Sequence, residues 1–210
     1  MKLTHYGHAC LLLETDGGGR LLFDPGTLST GFENLRDLTA ILISHEHADH
    51  VDADRVRALL AANPHAQLLV DATVAPELDG LALRVVHTGD RFELDGALVE
   101  VLGGAHEPIV DAFPGTGNSG FLVDGGAFYH PGDAWDVPGV PVDIVALPIS
   151  GPWLKFGDAI AYLRAVKPRI AVPIHELHLS DTGQADELIP MLAPAGTRYT
   201  PLERGVATQL

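Results

Sequence analysis

The segment Ser44-His45-Glu46-His47-Ala48-Asp49-His50 packs three histidines and an aspartate between positions 45 and 50. Imidazole nitrogen and carboxylate oxygen are ordinary ligands of zinc, at about 2.0–2.2 Å. Residues i and i+2 of an extended loop point the same way, so His45 and His47 can hold one ion. Asp49 and His50 fall where the chain turns toward a helix and can face a second ion beside the first. Other donors stand singly at the ends of apolar runs. His106 follows Ala97–Leu102, Asp133 follows Ala127–Tyr129, His175 follows Ile170–Val172, and Asp24 ends Leu21–Phe23. A lone strand-end histidine is usually a hydrogen-bonding residue. In this order, Asp24 upstream of the cluster and the others downstream, these residues point to a metal centre rather than a solvated polar loop.

Two ions about 3.5–4 Å apart bring the pKa of a shared water toward 7. Such a pair would supply a hydroxide nucleophile for an electrophilic carbon or phosphorus and would stabilise the charge that develops on oxygen. Asp49 is the candidate catalytic residue, orienting the nucleophile or carrying a proton. Zinc is the expected ion, with Mn²⁺ or Fe²⁺ as alternatives, because an imidazole–carboxylate site does not select by affinity alone. A serine nucleophile is not needed, and no Gly-x-Ser-x-Gly element occurs. His175-Glu176-Leu177-His178 is not His-Glu-x-x-His, which excludes a zincin peptidase. Cys10 sits in the apolar run Ala9–Glu14 and reads as core.

Such donors need rigid strand ends to hold them. Apolar runs between turn residues predict strands at Ala9–Glu14, Leu21–Phe23, Ala40–Ile43, Gln67–Val70, Leu83–Val86, Ala97–Leu102, Gly120–Val123, Ala127–Tyr129, Val142–Leu147 and Ile170–Val172. Several are apolar throughout, as strands covered on both faces are. Helices are expected at Asp52–Ala62, Asp158–Lys167 and Gln184–Leu192, with a short turn at Thr73–Leu78. Strands come first in each half, followed by strand–loop–helix units. This order implies one domain over 1–210: an α/β fold of two similar halves, sheets inside and helices outside.

Composition narrows the function. Thirteen basic and 28 acidic residues give a formal charge of −15, which argues against binding a nucleic-acid backbone. One cysteine excludes disulfides within the chain and cysteine-based zinc fingers. No apolar stretch approaches the roughly 20 residues of a membrane span, and the N-terminus lacks a signal-peptide pattern. The expectation is a cytoplasmic protein with a small-molecule substrate. Its oligomeric state cannot be read.

The set His45, His47, Asp49, His50, His106, Asp133 and His175, with Asp24 upstream, resembles the metallo-β-lactamase superfamily. The resemblance runs from Gly7-His8-Ala9 to His175. The Gly-His-Ala opening and Tyr129-His130-Pro131-Gly132-Asp133 are most similar to the compact bacterial hydrolases of its ascorbate-phosphate-lactonase-like branch. The resemblance implies an αββα four-layer sandwich with metals at one edge between the sheets. It implies that His45, His47 and His106 bind the first metal, that Asp49, His50 and His175 bind the second, and that Asp133 bridges them. The implied activity is hydrolysis of a small ester, lactone or phosphoester. The alternatives are an iron-dependent oxidoreductase of the same fold and a non-catalytic metal-binding module. Diiron relatives usually have Glu where His47 stands.

Around these ligands, Asp24 is expected to brace a ligand histidine from behind, and His8 is a second supporting candidate. His130 is expected to turn away from the metals. His5, His65, His87 and His178 read as structural or surface residues. Trp153, Phe156 and Trp135 are expected to form a substrate wall, with 111–119 as a further rim loop. Truncating Trp153 is expected to alter KM more than metal content.

Overall fold

The computed structural model describes residues 1–110 and 115–210. The strands are β1 (Lys2–His5), β2 (Leu11–Glu14), β3 (Arg20–Phe23), β4 (Ala40–Ile43), β5 (Gln67–Asp71), β6 (Arg84–Val86) and β7 (Arg91–Leu94). They continue as β8 (Ala97–Gly103), β9 (Ser119–Val123), β10 (Phe128–His130), β11 (Ile144–Pro148), β12 (Ile170–Ile174), β13 (Arg198–Tyr199) and β14 (Thr208–Gln209). The helices are α1 (Ala53–Ala62), α2 (Phe156–Val166) and α3 (Gly183–Leu192).

The strands form two sheets in matching order: β14-β1-β2-β3-β4-β5-β6 and β13-β12-β11-β10-β9-β8-β7. Each combines an antiparallel part, β1-β2-β3 or β7-β8-β9-β10, with a parallel part, β3-β4-β5-β6 or β10-β11-β12-β13.

The period-2 alternation of strand side chains explains the layers. Leu11, Leu13, Leu21, Phe23, Ala40 and Leu42 face inward, where they join Val99, Phe121, Phe128, Ile144 and Val172 of the other sheet in one core. Their neighbours Leu12, Leu22, Ile41 and Ile43 pack outward with Val56 and Leu59 of α1. On the far side, Val145, Leu147 and Ala171 pack with Ile160 and Leu163 of α2 and Ile189 of α3. The result is the expected αββα sandwich. Strands buried on both faces have no polar side, which is why their sequences are continuously apolar.

Local signals set the helix ends. The Asp52 side chain accepts from Arg55 N at 3.1 Å, capping α1, and Asp54 lies in its first turn. α2 starts two residues before the expected Asp158. The Asp158 carboxylate instead accepts from Lys155 N at 3.1 Å and closes the first turn. The Thr73–Leu78 turn is a 3₁₀ segment over Ala75–Leu78. Four strands carried no predictive pattern: β1, β7, β13 and β14. They are two to four residues long, and β14 is a sheet edge while β7 and β13 close the other sheet. Among the described residues no helix is long and apolar enough to cross a membrane.

Candidate metal centre

Most of the predicted donors meet at the C-terminal ends of strands. β4 delivers His45, His47, Asp49 and His50. His106, Asp133 and His175 follow β8, β10 and β12, and Asp24 follows β3. His8 lies in the turn between β1 and β2. His8, Asp24 and His175 all have left-handed backbones, with φ of 54°, 43° and 65°. This region is uncommon for non-glycine residues, although Asp and His enter it more readily than most. Three such residues around one cluster mark strain held by the surrounding fold. Two glycines bring the loops close. A Cβ on Gly26 would lie 1.8 Å from the backbone oxygen of Asp49, and one on Gly132 would lie 2.1 Å from Asn118 Oδ1.

The donor atoms fall into groups. The ligating atoms of His45, His47 and His106 lie within 4.8 Å of one another, as do those of His8, Asp49, His50 and His175, and those of His45, His50 and Asp133. Asp133 spans the groups. Its Oδ1 lies 2.9 Å from His175 Nε2 and 3.3 Å from His50 Nε2, and its Oδ2 lies 3.3 Å from His106 Nε2. His50 Nε2 and His175 Nε2 approach to 2.8 Å. Buried atoms without a hydrogen-bond partner include His106 Nε2 and Asp133 Oδ1.

Hydrogen bonds on the far side of the rings turn the Nε2 atoms of His45, His50 and His106 inward. His50 Nδ1–H donates to Asp24 Oδ2 at 2.8 Å, and His106 Nδ1–H donates to the Glu107 carbonyl at 2.6 Å. Ser44 Oγ donates to Asp24 Oδ2 at 2.7 Å and accepts from His45 Nδ1–H at 3.0 Å. In each ring Nδ1 is engaged on the outer side, so Nε2 points into the cluster and is the atom available to a metal. Converging imidazole nitrogens and carboxylates suit a divalent cation. The residues present therefore fit the implied group.

The protein's own charges are arranged accordingly. Burial works against a charge on His50, but the Asp133 and Asp24 carboxylates outweigh it and hold its pKa well above the usual histidine value. Burial holds His45 well below that value and brings His8 down to about 4. Burial opposes ionisation of Asp49 and Asp133. For Asp49 the His8 hydrogen bond and the His50 and His175 imidazoles prevail; for Asp133, His175 and His50 do. Both carboxyls stay far below the usual range.

The supporting residues differ in part from expectation. Asp24 is fully buried and braces His50 and Ser44. His8 Nε2–H donates to Asp49 Oδ2 at 2.9 Å. The His8 backbone is fixed by Glu176, which accepts from its N, and by His175 N, which donates to its carbonyl. His130 turns away, donating to the Ala9 carbonyl at 3.0 Å and stacking on Phe23. His178 was read as structural or surface, but its Nε2 lies 3.3 Å from Asp49 Oδ2 and its ring 4.9 Å from that of His8. A 3₁₀ turn over Glu176–His178 brings it round, and no spacing rule signals that. His5 donates to the His8 carbonyl at 2.9 Å. Ser44 and Asn118, named in the cluster and the rim loop, were not expected to support the ligands. Asn118 Oδ1 accepts from Asp133 N at 2.9 Å, and its amide donates to the Pro131 carbonyl at 2.8 Å.

The aromatic wall needs correction. A cavity of about 350 Å³ is lined by His47, Asp49, Asp133 and His175 together with Leu28 and Trp153. Of the three predicted wall residues only Trp153 lines it. Phe156 opens α2 and borders a different cavity with Leu154 and Gln184, while Trp135 packs on Trp153 and Tyr162 and lines another with Val137. Trp153 is also more than a wall. Its Nε1–H donates to Asp133 Oδ2 at 2.9 Å, which ties it to a candidate ligand and removes the reason to expect metal content to survive its truncation. Residues 111–114 of the expected rim loop lie outside the described residues. Cys10 is buried and free, and burial pushes its thiol pKa well up, as expected of a core residue.

Residues 2–175 match the family described as the beta-lactamase superfamily domain. Protein Rv0786c of Mycobacterium tuberculosis is 48% identical over 180 residues, 84% of each chain. A UPF0173 metal-dependent hydrolase of Carboxydothermus hydrogenoformans is 31% identical over 192 residues, 83% of this chain and 84% of that one. The solved structure of Igni18, a metallo hydrolase from Ignicoccus hospitalis, has a TM-score of 0.76 over 99% of this chain and 97% of its own. At 20% identity that likeness is one of fold.

Proposed function

This chain belongs to the beta-lactamase superfamily and, within it, to the UPF0173 metal-dependent hydrolases, and on that premise we propose a dinuclear centre acting on a small-molecule ester, lactone or phosphoester. His45, His47 and His106 would hold one ion, Asp49, His50 and His175 would hold the other, and Asp133 would serve both. Zinc is the first choice for this donor set. The observation that carries the reading is the position of Asp133, with one oxygen toward His50 and His175 and the other toward His106.

When bound, two divalent ions supply an activated water and electrostatic stabilisation of a developing oxyanion. The chain's residues do the rest. Asp24, Ser44 and the Glu107 carbonyl orient three imidazoles with Nε2 inward. Asn118 and Trp153 fix the backbone and carboxylate of Asp133. Asp49, partly exposed on the cavity and held by His8 at Oδ2, would orient water there. Asp49 also contacts the exposed imidazole of His178, 3.3 Å from its Oδ2. We assign this activity to one domain spanning 1–210. The buried free thiol of Cys10 suits a reducing, cytoplasmic setting.

The test is a panel of esters, lactones, phosphomonoesters and phosphodiesters offered to the zinc-loaded protein with and without chelator. Chelator-sensitive turnover of one class is expected. A fully loaded, folded protein that hydrolyses none of them contradicts the proposal.

A further inference from the structure

The cavity beside the histidine cluster has an apolar mouth. Leu28 and Ile109 line it at 40% and 46% exposure, next to Pro152 and Trp153. A singly exposed leucine needs no explanation. Two large apolar side chains facing the reactive carboxylates across one small cavity form a surface that a ligand would cover.

The charges point the same way. Among the described residues no lysine or arginine lines this cavity, and positions 111–114, Asp-Ala-Phe-Pro, add none to the sequence. Two arginines approach from behind and are already committed. Arg55 binds Asp52, Glu33 and the carbonyls of Gly26 and Ser29, and Arg204 binds Glu176. A neighbouring cavity of about 340 Å³ shares His47, His106 and Ile109 and adds the carboxylates Glu46 and Glu107. Metal charge attracts a carbonyl oxygen or an anion alike. A second negative charge, on further phosphoryl oxygens or a remote carboxylate, would find no arginine fork or lysine here and would face carboxylates instead.

We propose that the site takes a neutral carboxylic ester with an apolar acyl chain seated against Leu28, Ile109 and Trp153. This rests on the hydrolase reading and narrows it. Water adds its oxygen to the acyl carbon, the acyl C–O bond breaks, and the leaving alkoxide takes a proton from that water. The products are a carboxylic acid and an alcohol.

The experiment compares kcat/KM of the zinc-loaded protein for p-nitrophenyl acetate, p-nitrophenyl hexanoate, the mono-p-nitrophenyl ester of adipic acid, p-nitrophenyl phosphate and bis(p-nitrophenyl) phosphate. The adipate ester matches the hexanoate in length but ends in a carboxylate. Full burial is worth roughly fourfold per methylene, so a partly covered chain should favour hexanoate over acetate by about tenfold or more. Hexanoate should exceed adipate by a similar factor, and both phosphates should trail. Ile109→Lys and Leu28→Lys, at exposed positions, should move the hexanoate-to-adipate ratio toward adipate by about tenfold with zinc content unchanged. Preference for either phosphate overturns the inference, as does equal use of hexanoate and adipate or a ratio that neither lysine moves. Each of those outcomes leaves the hydrolase reading standing. Absence of chelator-sensitive turnover on every class removes that reading, and the inference with it.

Discussion

Replacing Asp24 by asparagine tests how the ligand rings are held. Asp24 is fully buried, and its carboxylate accepts Ser44 N and Ser44 Oγ at 2.7 Å and His50 Nδ1–H at 2.8 Å. Asn fits the space and tolerates the φ of 43°. It can keep one oxygen on Ser44 N, and the Ser44 hydroxyl can turn to accept from its NH₂, but that NH₂ then faces the His50 N–H, where donor meets donor. His50 must reverse its tautomer or lose its brace, and either change turns its lone pair away from the metal. Losing a hydrogen bond to a charged group costs about 1.5–3 kcal/mol. At 1.4 kcal/mol per factor of ten, zinc affinity should fall by roughly 10- to 100-fold, the range seen for residues that brace ligand histidines. Competition with a chromophoric chelator measures this, and circular dichroism confirms the fold. Wild-type affinity at both sites in a folded Asp24→Asn protein would refute the assignment of Asp24 as the brace.

Trp153→Phe removes the N–H that reaches Asp133 while keeping an aromatic ring, so zinc affinity should fall about tenfold in the same chelator competition, together with any change in KM. Gly26→Ala forces a Cβ against the Asp49 carbonyl and should cost about 1–3 kcal/mol or more in urea unfolding, with weaker metal retention. The pH dependence of the metal-stripped protein has two arms. His8, held down at about 4, makes the unfolded chain bind more protons between that value and about 6.5, so stability is lost as pH falls through this window, and His45 acts in the same direction. His50 is raised, so its contribution is full below about 6.5 and is lost as pH climbs through its folded value. Melting temperature against pH should therefore peak near 6.5 without metal, and bound zinc should remove the upper fall.

The parts of this site that could be read from sequence are those with local signatures. β4 is apolar on both faces and gives way abruptly to the histidine cluster, so both the strand and its cargo are visible. The same holds for His106, Asp133 and His175, which follow the apolar-rich strands β8, β10 and β12. Other parts depend on tertiary contacts. His8 reaches Asp49 because Gly7 and His8 take successive positive φ angles and Glu176 holds the His8 backbone. His178 enters through a 3₁₀ turn launched from a left-handed His175. Trp153 reads as an aromatic on a Gly-Pro loop, and nothing local tells that its N–H finds Asp133 while Phe156 and Trp135 border other cavities. The edge strands β13 and β14, two residues each, are too short for a periodic pattern. Their pairing is set by neighbours far along the chain, as in Lys2 opposite Gln209.

The two-metal arrangement is the central claim, and zinc stoichiometry tests it most directly. Metal-stripped protein is titrated with zinc, passed through gel filtration and analysed for metal per chain. Two zinc ions per wild-type chain are expected, with one in His106→Ala and one in His175→Ala. One tightly held zinc or none in the wild-type chain, or equal content in all three proteins, would contradict a dinuclear centre bridged by Asp133.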